Sequence, residues 1–194
     1  MSTNLLLPGT VVGFDGDEAG ALPAGWIAGV TGRGVPHWAV AGDPKAPSPP
    51  NVLIQSGKGS FPWCVKSDAS LADGYVEVKF KPIAGIEDQA GGVIWRWKDG
   101  DTYYVARANA LENNVSLYHT TGGQRNTIKY VDAPVPGNVW HLLRVDFADA
   151  RIKVMLDGKT YIEMEDRQIT GAGAVGVWTK ADSVIAFDDF SYGN

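Results

Sequence analysis

The chain has 194 residues, with 17 Lys and Arg against 22 Asp and Glu for a formal net charge of −5, and 44% of it is hydrophobic. The acidic balance and scattered bases exclude the basic patch that a phosphate backbone requires, so nucleic acid is not an expected partner. No apolar stretch approaches the roughly 20 residues of a membrane-spanning helix, so no membrane insertion is expected.

Leu5-Leu6-Leu7 is too short for the apolar core of a signal segment, and no basic run precedes it. The chain is therefore either cytoplasmic or a mature form without its leader, and the secreted or periplasmic alternative is slightly favoured. Glycine (24) and proline (11) punctuate short apolar runs, and helix signals are scarce. That is the pattern of an all-β protein, and the length suits one domain. Cys64 is the single cysteine, so no internal disulfide forms; it reads as a small buried hydrophobe.

In chain order, Thr10–Asp15 reads as a short strand ending in a carboxylate, and Asp17–Trp26 as a loop anchored by Trp26. Ile27–Val40 carries Trp38 in a strand. Gly42–Pro50 is a proline-rich surface crossing, Asn51–Gln55 a buried strand, and Gly57–Val65 a loop with Phe61 and Trp63. Gly74–Pro82 alternates Val76, Val78 and Phe80 with Tyr75, Glu77, Lys79 and Lys81, so one face is buried and the other wet.

Gly91–Tyr118 reads as three strands, Gly91–Lys98, Thr102–Ala108 and the start of a third at Asn114, with Asp99-Gly100-Asp101 as a hairpin break. Thr120–Asn126 is a Gly-Gly turn, and Thr127–Val131 a strand. Val139–Phe147 and Arg151–Leu156 alternate again, and Asp157-Gly158 signals a type I′ hairpin before Thr160–Glu165. Ala174–Lys180 and Val184–Ser191 close the chain. Twelve to fourteen such short strands imply two packed antiparallel sheets, one of them concave.

Four pieces also resemble a known group. FDGDEAGALPAGW resembles its opening strand and loop, Asp73–Pro82 its first long strand, and Gly91–Arg107 its GGVIWR…YYVAR hairpin. AVGVWTKADSVIAFDDF (Ala174–Phe190) resembles its ending. The group is the concanavalin A-like jelly rolls of laminin-G-like kind, with the 3-keto-disaccharide hydrolase-like family the nearest in pattern. The resemblance implies a two-sheet antiparallel β-sandwich in a bacterial glycan-processing setting. Lectins, binding modules, hydrolases and lyases share that fold, so it specifies architecture rather than activity.

The favoured function is carbohydrate recognition, with an oligosaccharide or polysaccharide bound on the concave sheet. Aromatics stack on pyranose faces while amides and guanidinium groups fix the hydroxyls. Arg96, Trp97, Tyr104, Asn109, Asn114, Trp178 and Lys180 are the candidate ligand-binding residues. Parity puts Tyr103 and Arg107 on one face, opposite Tyr104, and Arg96 opposite Trp95 and Trp97, with either set facing the core.

The first alternative is a glycoside-acting enzyme. Hydrolysis needs two carboxyls, and Glu112, beside Arg107, Asn109, Asn113 and Asn114, is the best single candidate, with Glu87 or Asp88 as its partner. A lyase would use Tyr103, Tyr104 or His119 as base beside Arg107. The candidate catalytic set is thus Glu112, Arg107 and His119. Against it stand plain structural roles: His119 bonding a loop, Lys180 pairing with Asp182 to brace a turn. The second alternative is a structural or protein-binding sandwich.

Related jelly rolls hold a structural Ca²⁺ where the first strand meets the last, so Asp15 and Asp188 are the candidate ligands; the alternative is that they cap strand ends. His37, His119 and His141 have no zinc spacing. Without a phosphate loop or dinucleotide fingerprint, no organic cofactor is expected.

Overall fold

A computed structural model describes residues 9–194. The Leu5-Leu6-Leu7 run lies outside the described residues. Fifteen strands and no helix are found among them, and no helix is long and apolar enough to cross a membrane.

Alternating side chains sort the strands into two antiparallel sheets. The first runs β13 (Lys159–Glu165), β12 (Arg151–Leu156), β11 (His141–Ala148), β6 (Gly74–Ala84), β15 (Val184–Gly193), β4 (Asn51–Gln55) and β3 (Trp38–Gly42), with β1 (Thr10–Val12) also paired to β15. The second runs β10 (Gln124–Asp132), β9 (Asn114–Thr121), β8 (Thr102–Asn109), β7 (Ala90–Asp99), β14 (Gly173–Thr179), β5 (Lys58–Leu71) and β2 (Trp26–Val35). This is the jelly-roll sandwich expected from the sequence.

The core lies between the sheets. Val76, Val78 and Phe80 of β6 and Leu143, Val145 and Phe147 of β11 meet Val93, Trp95, Tyr104, Ala106 and Leu117 of the second sheet. Trp95 stacks on Tyr104 at 5.3 Å and on Phe147 at 5.9 Å, locking the two sheets together. Burying one such side chain is worth about 1.5–3 kcal/mol. Cys64 is in this core, and burial pushes its thiol far up, so it is chemically inert.

Two elements depart from the sequence reading. The segment expected to be a loop at Gly57–Val65 is the first half of β5. Pro62 is tolerated because β14 pairing ends at Trp63, so its missing N–H leaves no gap in that ladder. In β7, Arg96 has φ 47°, and the register with β8 shifts between Trp95 and Asp99. This bulge resets the alternation: Trp95 faces the core, whereas Trp97 packs with the outer cluster. The expectation that Trp95 and Trp97 share a face is thereby corrected. The Asp157-Gly158 turn has positive φ at both residues (50° and 81°), as a type I′ hairpin requires.

Candidate functional site

The outer face of the second sheet carries a second aromatic cluster. Its buried members include Val65, Ile94, Tyr103, Val105, Tyr118 and Trp178, with Phe61, Trp63 and Trp97 half-buried above them. These positions follow from pairing: Trp63 opposes Trp178, Tyr118 opposes Val105, and Tyr103 opposes Thr120.

This face is strongly concave. Arg125 of β10 lies 4.7 Å from the Phe61 ring of β5, although the two strands are five steps apart in the sheet. At about 4.8 Å per step a flat sheet would separate them by roughly 24 Å. Likewise Tyr103 Oη meets Thr31 Oγ1 at 2.8 Å, from β8 to β2. The sheet must curl for either contact to form. Phe61 stacks on Trp178 at 5.8 Å and 9°, and Trp63 pairs with Trp97 at 5.3 Å. Gly29 makes room for Trp63: a Cβ there would fall 2.5 Å from the indole ring.

One end of the groove is polar. Arg107 is buried and donates through Nε and Nη2 to Tyr118 Oη (3.2 and 2.9 Å), through Nη2 to Glu112 Oε2 (3.0 Å), and through Nη1 to Asn114 Oδ1. Asn114 Nδ2 donates in turn to Glu112 Oε2 at 3.0 Å and to Tyr130 Oη. Partial burial pushes the Glu112 carboxyl up, but the Asn114 bond and the Arg107 and Lys180 charges outweigh it and hold the group below its ordinary value. Glu112 is therefore an ionised acceptor at the surface, not a proton donor.

Beside it, Lys180 Nζ donates to Asp88 Oδ2 at 2.9 Å. Asp88 is only 1% exposed and also accepts from Asn109 Nδ2 at 2.8 Å. Asn109 Oδ1 accepts from the amides of Gln89 (3.3 Å) and Leu111 (3.0 Å), fixing the turn that presents Glu112. The expected Lys180–Asp182 pair does not form. Asp182 instead accepts from the amides of Ile86, Glu87 and Asp88, which position Asp88 beneath Lys180.

The structure thus brings Arg107, Glu112, Asn109, Asn114, Trp97, Trp178 and Lys180 to one face. It reassigns their roles, since Asn109 and Asn114 are fully buried scaffolding and Trp178 is floor rather than rim.

Three candidates lie elsewhere. Arg96 is 3% exposed and donates to the carbonyls of Ala72 (2.9 Å), Ile169 (3.0 Å) and Asp149 (2.8 Å), clasping three loops at one end of the sandwich. Tyr104 is fully buried in the core, its hydroxyl donating to Asp166 Oδ1 at 2.5 Å. Burial, reinforced by Asp166, pushes that phenol up to about 12. His119 pairs in register with Tyr104, on the opposite face from Arg107, and bonds Thr121 Oγ1 at 2.9 Å. Glu112, Arg107 and His119 therefore form no catalytic set, and Tyr104 and Arg96 reach no ligand on the concave face.

Sequence reasoning missed Arg125 and Phe61. Phe61 stood in an expected loop and Arg125 in an expected turn, so neither gave a signal of facing the groove.

The acids near the β1–β15 pairing hold the proline-rich crossing. Asp188 is fully buried; Oδ2 accepts from Ser48 N at 2.8 Å and Oδ1 from Asp189 N at 2.8 Å, while Asp15 Oδ1 accepts from Asn51 N at 3.1 Å. Burial first, then the charges of Asp189 and Asp15, push the Asp188 carboxyl up to about 6. Lys79 Nζ neutralises Asp189 at 2.9 Å. The donors are hard oxygens suited to Ca²⁺. Among the described residues, however, no group of three or more His, Cys, Asp or Glu side chains is arranged to hold an ion.

A cavity of about 610 Å³ lies on the other sheet, lined by Tyr75, Arg144, Asp146, Lys153, Glu163 and neighbours. Within it Arg144 bonds Asp146 at 2.9 Å and Glu77 at 3.2 Å, and its guanidinium covers the Tyr75 ring at 4.1 Å; Arg151, Lys153, Glu163 and Glu165 also line it. We place the candidate site on the concave face, where half-buried aromatics lie beside a fixed polar end.

No family model matches the sequence, and no curated protein matches it significantly. Solved structures do. The carbohydrate-binding module CBM66 from Bacillus subtilis superposes with TM-score 0.71 at 21% identity, covering 88% of this chain and 96% of that one. A prokaryotic β-1,3-1,4-glucanase (lichenase) from a mouse hindgut metagenome gives TM-score 0.62 at 14% identity, covering 96% and 99%. The Ca²⁺- and mannose-bound exoplasmic/lumenal domain of VIP36 gives 0.60 at 11%, covering 95% and 88%. The architecture and these likenesses together identify the fold as a two-sheet antiparallel jelly roll.

Proposed function

We propose that the protein is a carbohydrate-recognition domain that binds an oligosaccharide or polysaccharide along the concave face of the second sheet. One observation carries this reading. The same curved face joins the half-buried aromatics Phe61, Trp63 and Trp97 to a fixed polar end, Arg107–Glu112 and Lys180–Asp88. Indole faces suit the apolar side of a pyranose, and the oriented carboxylate and ammonium suit its hydroxyls. The names of similar folds, a carbohydrate-binding module and a glucanase, agree with a glycan ligand.

Binding is favoured over hydrolysis by the state of the carboxyls. Glu112 is held ionised by Asn114 and Arg107, and Asp88 is buried between Asn109 and Lys180. A hydrolase needs one carboxyl kept protonated and one free to act. Affinity electrophoresis of the intact chain through gels containing different polysaccharides tests the reading. Retardation by at least one, relieved in Trp97→Ala, is expected; unretarded migration in every gel overturns it.

A structural Ca²⁺ at Asp15 and Asp188 is a second proposal, favoured by the buried, like-charged surroundings of Asp188. Those two carboxylates would hold the ion and tie the proline-rich crossing to β15. Calcium should then raise the thermal midpoint relative to chelator in the parent and not in Asp188→Asn. An unchanged midpoint removes the ion from the account.

A further inference from the structure

We infer that the glycan is anionic, its acid group (a uronate carboxylate or a sulfate) pairing with Arg125. This rests on the carbohydrate reading above and adds the charge of the ligand. The Arg125 guanidinium sits between two rings, 4.3 Å from the Tyr118 centroid and 4.7 Å from that of Phe61. Stacking fixes a guanidinium through its faces and leaves its N–H donors at the edge, the geometry that receives a planar acid group.

One of those donors has nothing to bond. Among the described residues no carboxylate pairs with Arg125, and its Nη1 is shut off from water without an acceptor. A buried cationic donor left unpaired is costly, and an acid group from a ligand would remove that cost. The other cations of the face differ: Arg107 is paired with Glu112 and Lys180 with Asp88. Arg125 is the uncompensated charge of this set.

A second observation points the same way. The indole Nε1 atoms of Trp63 and Trp97, on the same face, are also buried without an acceptor. An indole N–H can only donate. At Arg125 Nη1 the face itself supplies no accepting oxygen. A carboxylate or sulfate only accepts, and it also matches the free positive charge.

The test is isothermal titration of the intact chain with a uronate oligosaccharide and a sulfated one, each beside its neutral counterpart (carboxyl-reduced or desulfated). Arg125→Gln and Arg125→Lys are compared, with Lys129→Gln, an exposed cation on the same strand, as the charge control. At least one acidic ligand should bind tenfold or more tighter than its neutral counterpart, and the arm that does so names the acid group. Arg125→Gln should abolish the advantage, Arg125→Lys should keep part of it, and Lys129→Gln should keep all of it. Should Arg125→Gln fail to fold, a salt titration of the parent reads the same quantity, because the acidic advantage shrinks with ionic strength while neutral binding does not. Equal affinity for acidic and neutral partners, or an advantage that survives Arg125→Gln, overturns the inference and leaves the carbohydrate reading standing. Binding by none of the ligands overturns both.

Discussion

Arg96 and Arg107 are both deeply buried, and their partners give them opposite work. Arg96 faces backbone carbonyls from three connections, so removing it strands those acceptors at one end of the sandwich. Arg96→Ala should cost about 2–4 kcal/mol, read as a fall in the urea midpoint, and a loss under about 0.5 kcal/mol would contradict the clasp. Arg107 faces side chains that order Glu112. The folded value of Glu112 is depressed, so its stabilising contribution is complete above the ordinary carboxylate range and is lost as pH falls through the depressed value. Melting midpoints of the parent and Glu112→Gln should differ at pH 7 and converge as the pH falls below the ordinary carboxylate range. A gap that stays constant with pH would show that the carboxylate charge plays no part.

At the scale of elements, the strands were legible because alternation is a local signal, as in β6 and β11. The face that each residue of β7 takes was not. The WRW segment alternates evenly in sequence, but the positive φ at Arg96 inserts a bulge that no residue type announces. Part of its cause lies far along the chain: a Cβ on Gly173 would fall 2.5 Å from the Arg96 carbonyl carbon, so β14 fits against the bulge only with glycine there. Gly173→Ala should lower stability by about 1–3 kcal/mol through overpacking, measured by thermal or urea unfolding, and a neutral outcome would show that the bulge tolerates the added carbon. Similarly, β5 was hidden by Pro62, whose acceptability depends on where its neighbour β14 stops pairing. The polar end of the site was partly readable because Arg107, Asn109, Glu112 and Asn114 are close in sequence. Arg125 and Phe61 were not, because only the curl of the whole sheet brings them together.

At the scale of the molecule, the two sheets present different outer surfaces. The first carries a cavity lined by charged side chains, in which Arg144 is paired with Asp146 and Glu77. The second curls into a groove that keeps unpaired donors. The proposed glycan therefore lies on the second sheet, and the cavity of the first takes no part in binding it. The direct test is a binding isotherm for a retarded polysaccharide measured on the parent, on Trp97→Ala in the groove and on Lys153→Ala in the opposite cavity. A loss of affinity of tenfold or more in Trp97→Ala, with Lys153→Ala within twofold of the parent, is the predicted result. The reverse pattern, with affinity lost in Lys153→Ala and kept in Trp97→Ala, would contradict it.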